Sequence, residues 1–478
     1  MSLKKYKNSQ NDWGTLMTAT EYSVAREFLR TAVIIDDKAE LIDPGADNEV
    51  PEVVEPTDAE GEQEAELSVI ETAAQPKQDV KDGQLNVGAV IGGFFQEGIM
   101  CGVFQPEENI SAEELVKDTT KAVVNSDIVI LDWYLRPNDE KLILSLLEAI
   151  FSSDKEQNGR LRLIIIYTDN PNLAKCATAI QAKLAPFGLH DSTSGDQFLL
   201  EAAGVRIKLF NKEGAVGPAP VKEAELASQA ILEFSYLGKG LFPLLALAGV
   251  NSIRKNTHHL LSIFSRNLDP ALVGHRLLLK DGEDAAVFGL EVLVQQLRSL
   301  LSTNRIHHNY LSEDRFLNWF DENFDHEGEG EVNPGAVPLS IVRDALKSCY
   351  DEVFKSRGGE MRGVKGKMFP RHAHKRLFSE DAEKEKEATA LLGRLSKVSR
   401  EFEGLHRLPK DWRPTLSLGS ILKRQVKKTW HYYFCAMPAC DAVRIDEGKR
   451  FFPLLSLVPT DSGNETDFWL SIWDETQN

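Results

Sequence analysis

The sequence predicts an α/β fold at its N-terminal end: a doubly wound, five-stranded parallel sheet over residues 31–237. A mainly helical region and a small β-rich C-terminal module follow it. Three observations carry this. Short β-branched runs alternate with amphipathic helical patterns from 31 to 237, and such alternation builds parallel sheets covered on both faces. The run Asp127 to Leu135, D-I-V-I-L-D-W-Y-L, is apolar without alternation up to Asp132, as suits a strand buried on both faces. After Lys239 the strands stop and helical periodicity takes over, until Trp412 opens a stretch of short β patterns.

The elements follow in order. Thr18 to Thr20 cap a helix to about Arg30, with Val24, Ala25, Phe28 and Leu29 on its apolar face. Ala32 to Ile35 is a strand that ends on Asp36-Asp37. A long acidic stretch, residues 40–83, has almost no aromatics and too little apolar surface to offset its ordering entropy, so it is expected to be a disordered loop. Val87 to Ile99 reads as a helix despite its glycines, and Met100 to Gln105 as a short strand. Ser111 and Glu114 form a capping-box pattern for a helix through Val124. After strand 127–135 come a helix (140–151), a strand (161–167) ending on Thr168, and a helix (172–184). A turn-rich insertion (187–200), a strand (205–210) followed by Asn211-Lys212, and a helix (221–237) complete the alternation.

Beyond it, helices are expected at 241–250, 253–264, 286–301, 311–320, 339–354 and 382–402, with loops at 324–338 and 355–376. His258-His259 fall within one helix, where a phosphorelay histidine and a core or capping role are both open. The carboxylate-dense loop 324–338 matches no metal-loop spacing. Strand patterns at 416–422, 432–436, 442–445, 451–458 and 468–472 make the last module β-rich. Cys435 and Cys440, with His431 nearby, form one C-x4-C without a second pair; core cysteines are the better reading and a zinc site the weaker one. The expected domains are therefore an extension (1–30), the α/β domain (31–237, with its acidic insertion), a helical region (238–405) and the β module (406–478).

Composition limits the function. Between Ala39 and Asp82 there are 14 acidic residues and two lysines, so about two thirds of the net charge of −18 lies in one segment. The remainder is only mildly acidic, which argues against a DNA-binding face. The opposite bias occurs at Lys355 to Arg376, with eight Lys or Arg against one Glu; protein docking or plain solvation fits it better than nucleic acid. No apolar run is long enough to span a membrane, the first residues lack the apolar core of a signal peptide, and five scattered cysteines point to reduced thiols in the cytosol.

The chemistry lies at the strand ends. Asp36 and Asp37, Asp132, Thr168 and Lys212 each follow a strand, and in a parallel sheet these ends share one edge, where open α/β sheets bind ligands. Crowded carboxylates raise one another's pKa, and a hard divalent cation, Mg2+, relieves the repulsion. A hydroxyl and an ammonium beside it would contact the oxygens of a phosphoryl group.

In these residues the chain resembles the response-regulator receiver domain of two-component signalling, a flavodoxin-like fold. The resemblance implies that Asp132 is the phosphoacceptor. It implies that Asp36, Asp37, Asp132 and the main-chain carbonyl of Tyr134 hold Mg2+, that Thr168 is the switch hydroxyl, and that Lys212 binds phosphate. The partners it implies are a histidine kinase and a downstream protein effector, with no catalytic turnover by the chain itself. Three departures stand out: the acidic insertion follows the acid pair, Glu213 rather than proline follows Lys212, and Phe210 lies nearer the lysine than the family aromatic. Lys208 competes for the lysine's role. Residues 440–444 (C-D-A-V-R) and 451–455 (F-F-P-L-L) resemble the C-terminal part of large receiver-containing proteins of bacterial anti-phage operons of the Detocs type. A receiver that no longer turns over phosphate and serves as an interaction scaffold is the alternative.

Overall fold

The computed structural model describes residues 19–40, 84–107, 110–137, 139–157, 159–192, 194–279, 283–324, 337–348, 353, 355, 377, 395, 420–436 and 452–458. Most of the acidic stretch, the bulk of loop 324–338, nearly all of 355–376 and 382–402, the strands expected at 442–445 and 468–472, and Cys440 lie outside these residues. The chain divides into two compact units, with the break between Asn251 and Ser252.

The first unit runs α1 (Ala19–Phe28), β1 (Thr31–Ile35), β2 (Ala39–Glu40), β3 (Leu85–Asn86), α2 (Val87–Gln96), β4 (Met100–Phe104), α3 (Ala112–Val124), β5 (Ile128–Leu131), α4 (Glu140–Glu156), β6 (Arg162–Thr168), α5 (Leu173–Leu184), β7 (His190–Asp191), β8 (Leu199–Ala202), β9 (Val205–Asn211) and α6 (Leu226–Leu237). The main sheet has seven strands in the order β4-β1-β5-β6-β9-β8-β7. The five strands expected from the sequence are all there and all parallel. The stretch 187–200 departs from expectation. It supplies β7 and part of β8, which extend the sheet antiparallel. Leu199 and Leu200 are buried, and Gly204 at φ +76° turns β8 into β9 in two residues.

Helices cover both faces. The side chains of Val33, Ile35, Val129, Leu131, Ile164, Ile166, Ile207 and Leu209 share one core with α3, α4 and α5. On the other side α1 and α2 pack on α6, with Phe28 stacked on Phe234 at 5.6 Å. The glycines of α2 have a packing role: a Cβ on Gly93 would lie 2.8 Å from the Ala224 carbonyl oxygen, so glycine lets the helix approach the short 3-10 turn Glu223–Glu225. The capping box of Ser111 and Glu114 is formed in both directions. Behind the sheet Arg162, fully buried, holds Asp154 through two hydrogen bonds of 2.7 Å.

The strand order sets the site. From β1 the chain goes to β4 on one side, then crosses to β5 on the other. The reversal between β1 and β5 leaves a crevice at their C-terminal ends, where sheets of this order bind ligands. Ala39 and Glu40 pair with Leu85 and Asn86 where the insertion departs and returns.

α7 (Leu241–Lys255) begins in the first unit and ends in the second. There follow α8 (Thr257–Ile263), α9 (Asp269–Leu278), α10 (Glu283–Thr303), α11 (Ile306–Tyr310), α12 (Glu313–Asn323) and α13 (Leu339–Lys347). The sequence pattern missed α9, which starts at a proline-containing first turn, and merged the end of α7 with α8. Phe320, Phe324, Val337, Ile341 and Val342 form a small core, clamped by Arg343 on Asp321. His258 and His259 are exposed, so they line no core. The β-rich module holds β10 (Ile421–Val426), β11 (Thr429–Cys435) and β12 (Leu454–Leu457) as an antiparallel sheet, with Cys435 buried. No helix among the described residues is long and apolar enough to cross a membrane.

Candidate functional site

Asp36 and Asp132 are the first residues beyond two adjacent parallel strands, β1 and β5. Sheet hydrogen bonds fix their backbones: the Asp36 N–H donates to the Phe104 carbonyl at 3.2 Å, and the Asp132 N–H to the Ile35 carbonyl at 3.0 Å. Both side chains are buried, 1% and 2% exposed. Asp37 sits at the crevice rim. One carboxylate oxygen from each of Asp36, Asp37 and Asp132 lies within 4.8 Å of the other two, so residues separated by about a hundred positions form one acidic cluster.

Lys212 joins them from β9, two strands away from β5. Its N–H donates to the Thr168 carbonyl at 2.9 Å. Its Nζ lies 2.7 Å from Asp36 Oδ2 and 2.7 Å from Asp132 Oδ2. Lys208 does not compete: it pairs with Asp196 instead and lies over the Phe210 ring, 5.4 Å from its centroid. Thr168 ends β6 fully buried, and its Oγ1 accepts the Asn170 N–H at 3.2 Å. The Tyr134 N–H is aimed at Asp132 Oδ1 at 3.3 Å, which brings the backbone of 132–134 round the acceptor position.

Five residues with no role in the sequence analysis complete the surroundings. Lys38 donates its N–H to Asp36 Oδ1 at 2.8 Å, and its ammonium pairs with Asp169 at 2.9 Å. Asn170 donates its side-chain amide to the Tyr134 hydroxyl at 3.2 Å. Asn211 ties the β9 loop to β6, donating to the Asn170 carbonyl at 2.8 Å and accepting from the Ala219 N–H at 3.3 Å. Gly217 is required beneath it, since a Cβ there would meet the Asn211 side chain at 2.1 Å. An asparagine and a glycine six residues apart are common in loops, so the pattern carried no signal before the fold was known.

The electrostatics follow from burial. Desolvation raises the pKa of Asp132; Lys212 opposes this and Asp36 adds to it. Asp37 is raised by burial and then by Asp132, against the pull of Lys212 and Lys38. For Lys212, burial works against the charge, but Asp132 and Asp36 outweigh it and hold the ammonium above the ordinary lysine range. One ammonium faces three carboxylates, leaving an excess of two negative charges when all are ionised.

The residues fit a divalent cation. Asp37 Oδ1 is buried and accepts no hydrogen bond, an acceptor left over in an acidic pocket. Oxygens sharing one Mg2+ stand about 3 to 4 Å apart, so small side-chain rotations would bring the three carboxylates onto one ion. Among the described residues this is the cluster that could hold a metal.

Residues 28–216 match the response receiver domain family. Residues 28–216 therefore form a receiver domain, which supports a response-regulator-like signalling role. The match spans less than half of the chain, and the receiver accounts for the first unit alone. No curated protein and no solved structure matches the chain.

Proposed function

We propose that this chain is a phosphoacceptor protein, without catalytic turnover of its own, that takes a phosphoryl group onto Asp132 from the phosphohistidine of a partner histidine kinase. The observation that carries the reading is the meeting of Asp36, Asp37, Asp132 and Lys212 at one sheet edge. In the transfer a carboxylate oxygen of Asp132 attacks phosphorus. The phosphorus–nitrogen bond breaks, its electron pair stays on the imidazole, and an acyl phosphate remains on Asp132. Lys212, already within hydrogen-bond reach of the acceptor, follows the charge onto the phosphoryl oxygens. The Thr168 hydroxyl, one strand over, is the group that would turn toward the new phosphoryl. Asp36, Asp37, Asp132 and the Tyr134 carbonyl would hold Mg2+, which neutralises the anionic oxygens that gather there.

The phosphorylated receiver then acts through protein contacts on a downstream effector, or buffers phosphoryl groups in a cytoplasmic pathway. The resemblance of 440–444 and 451–455 to Detocs-type proteins supports a bacterial anti-phage setting. A second reading has its own observation: Lys212 already neutralises Asp132, which is 2% exposed, and a buried, paired carboxylate also suits a receiver kept as a scaffold.

Incubation with a radiolabelled small-molecule phosphoryl donor in Mg2+ separates the two. The proposal expects one hydroxylamine-labile label per chain, lost in Asp132→Asn and in EDTA. An unlabelled protein, or equal labelling of the Asn variant, overturns it in favour of the scaffold.

A further inference from the structure

The second unit carries a feature that receiver chemistry does not use. Thirteen large apolar side chains between Leu261 and Val294, on α8, α9, α10 and the connections between them, are 38–86% exposed. Monomeric proteins seldom leave contiguous apolar area beyond a few hundred Å2 in water. An aromatic side chain offers about 150–250 Å2, and eleven of the thirteen are smaller aliphatic ones, so at about half exposure the stretch presents roughly 1,000 Å2 at most. A stable dimer buries about 800 Å2 per partner.

The pattern on α10 specifies what covers it. Val287, Leu290, Val294, Leu297 and Leu301 follow one another at spacings of three, four, three and four residues. Such alternating spacings average 3.5 residues and suit a seam that meets another helix, and Phe288 and Leu293, 44% and 40% exposed, widen it. The first three are more than half exposed, at 52%, 61% and 51%. α9 packs beside α10, with His275 and Phe288 ring centroids 4.6 Å apart, and it adds Leu272, Val273 and Leu277 to the exposed surface. Two helices with apolar outer faces form half of a four-helix arrangement, and a two-fold axis supplies the other half with identical residues. Within the seam region of α10 the charged residues are few, Glu291 and Arg298 among them, so a second copy meets little like-charge repulsion. One segment of this chain that could lie against it, 382–402, is densely charged and matches the apolar seam poorly.

We propose that α9 and α10 form a homodimer interface, with the α10 seam at its centre and a second copy of this chain as its occupant. The assignment does not depend on phosphorylation of Asp132.

The test is sedimentation equilibrium of the full chain from about 1 to 100 μM, beside the double variant Leu290→Glu, Val294→Glu. The expected result is a dimer for the parent and a monomer for the variant, at least a hundredfold weaker in self-association, with unchanged far-UV circular dichroism. Both positions are exposed, so folding of the protomer does not depend on them. A parent that is monomeric throughout overturns the proposal; amide protection of 287–297 in that monomer would assign the cover to this chain. A variant that stays dimeric places the interface elsewhere and overturns it equally. As a second check, Leu290→Met, which keeps the apolar seam, should dimerise like the parent.

Discussion

Replacing Lys212 by methionine removes the ammonium and keeps most of the side chain's volume. Two carboxylates 2.7 Å from that ammonium then lose their buried counter-charge. Each contact is worth about 6 kcal/mol in gross Coulomb terms at an effective dielectric of 20, but burying the lysine has already cost several kcal/mol of that. Breaking a buried pair from one side nets about 3–5 kcal/mol of destabilisation. Every 1.4 kcal/mol is tenfold, so the amides of Ile128–Leu131 should lose protection from hydrogen exchange by roughly a hundred- to several-thousand-fold at pH 7.5 in EDTA. Exchange at this strand reports opening of the receiver itself, without assuming that both units unfold together. The loss should shrink at pH 5. Asp132 already has a raised pKa, and without Lys212 it rises further. The folded variant then holds a proton that the unfolded chain has released, so its stability falls as pH climbs and the gap to the parent widens. Mg2+ at a hundred times its Kd should restore about 2.7 kcal/mol or more, because the cation takes the place of the lost charge. A variant within about 1 kcal/mol of the parent at pH 7.5, by the same exchange measure, or one indifferent to Mg2+, would refute the account of the pocket.

Two further outcomes follow from groups outside the pocket. Burial and a hydrogen bond with Glu213 raise Glu223 from 4.5 to about 7. The folded state thus binds a proton that the unfolded chain has lost between those values, and stability declines as pH rises through that window. Glu223→Gln should flatten this slope and stabilise the receiver at pH 8 by about 1–3 kcal/mol, read from urea midpoints; an unchanged pH profile would place the titrating group elsewhere. Asp154→Ala leaves the guanidinium of Arg162 buried with the Val123 and Ser126 carbonyls as acceptors. It should cost about 3–5 kcal/mol, with part of the loss recovered in the double variant with Arg162→Met; full additivity of the two single changes would show that the pair is not coupled.

Much of the receiver was legible because local signals agreed with the global arrangement. The uninterrupted apolar run of β5 needs burial on both faces, and a polar residue directly after each strand must lie at one edge of a parallel sheet. Asp36 and Asp132 were found by that argument alone. Lys38, Asp169 and Asn211 were not, since their partners come from different loops and exist only once the strands are in order. The strands of 187–202 were hidden for a related reason: β7 has two residues, too few for alternation to register. The choice between Lys208 and Lys212 also needed coordinates, because β9 is buried along its whole length and the sequence does not say which lysine has a nearer carboxylate. In the second unit the helical faces were readable, while α9 was lost because its proline reads as a breaker when it is in fact in the first turn.

The two-rung ladder of Ala39 and Glu40 with Leu85 and Asn86 makes the acidic stretch an exchangeable cassette. Its departure and return points are pinned side by side, two positions beyond the acid pair. Because closure entropy grows only with the logarithm of length, an insert here can be lengthened or recomposed at a cost of tenths of a kcal/mol while the aspartates stay where they are. A parallel ladder still demands a crossover of about a dozen residues, and that sets the floor. Evolution can therefore edit what this receiver displays to its surroundings without editing the pocket, and a reporter domain could be spliced into the same socket.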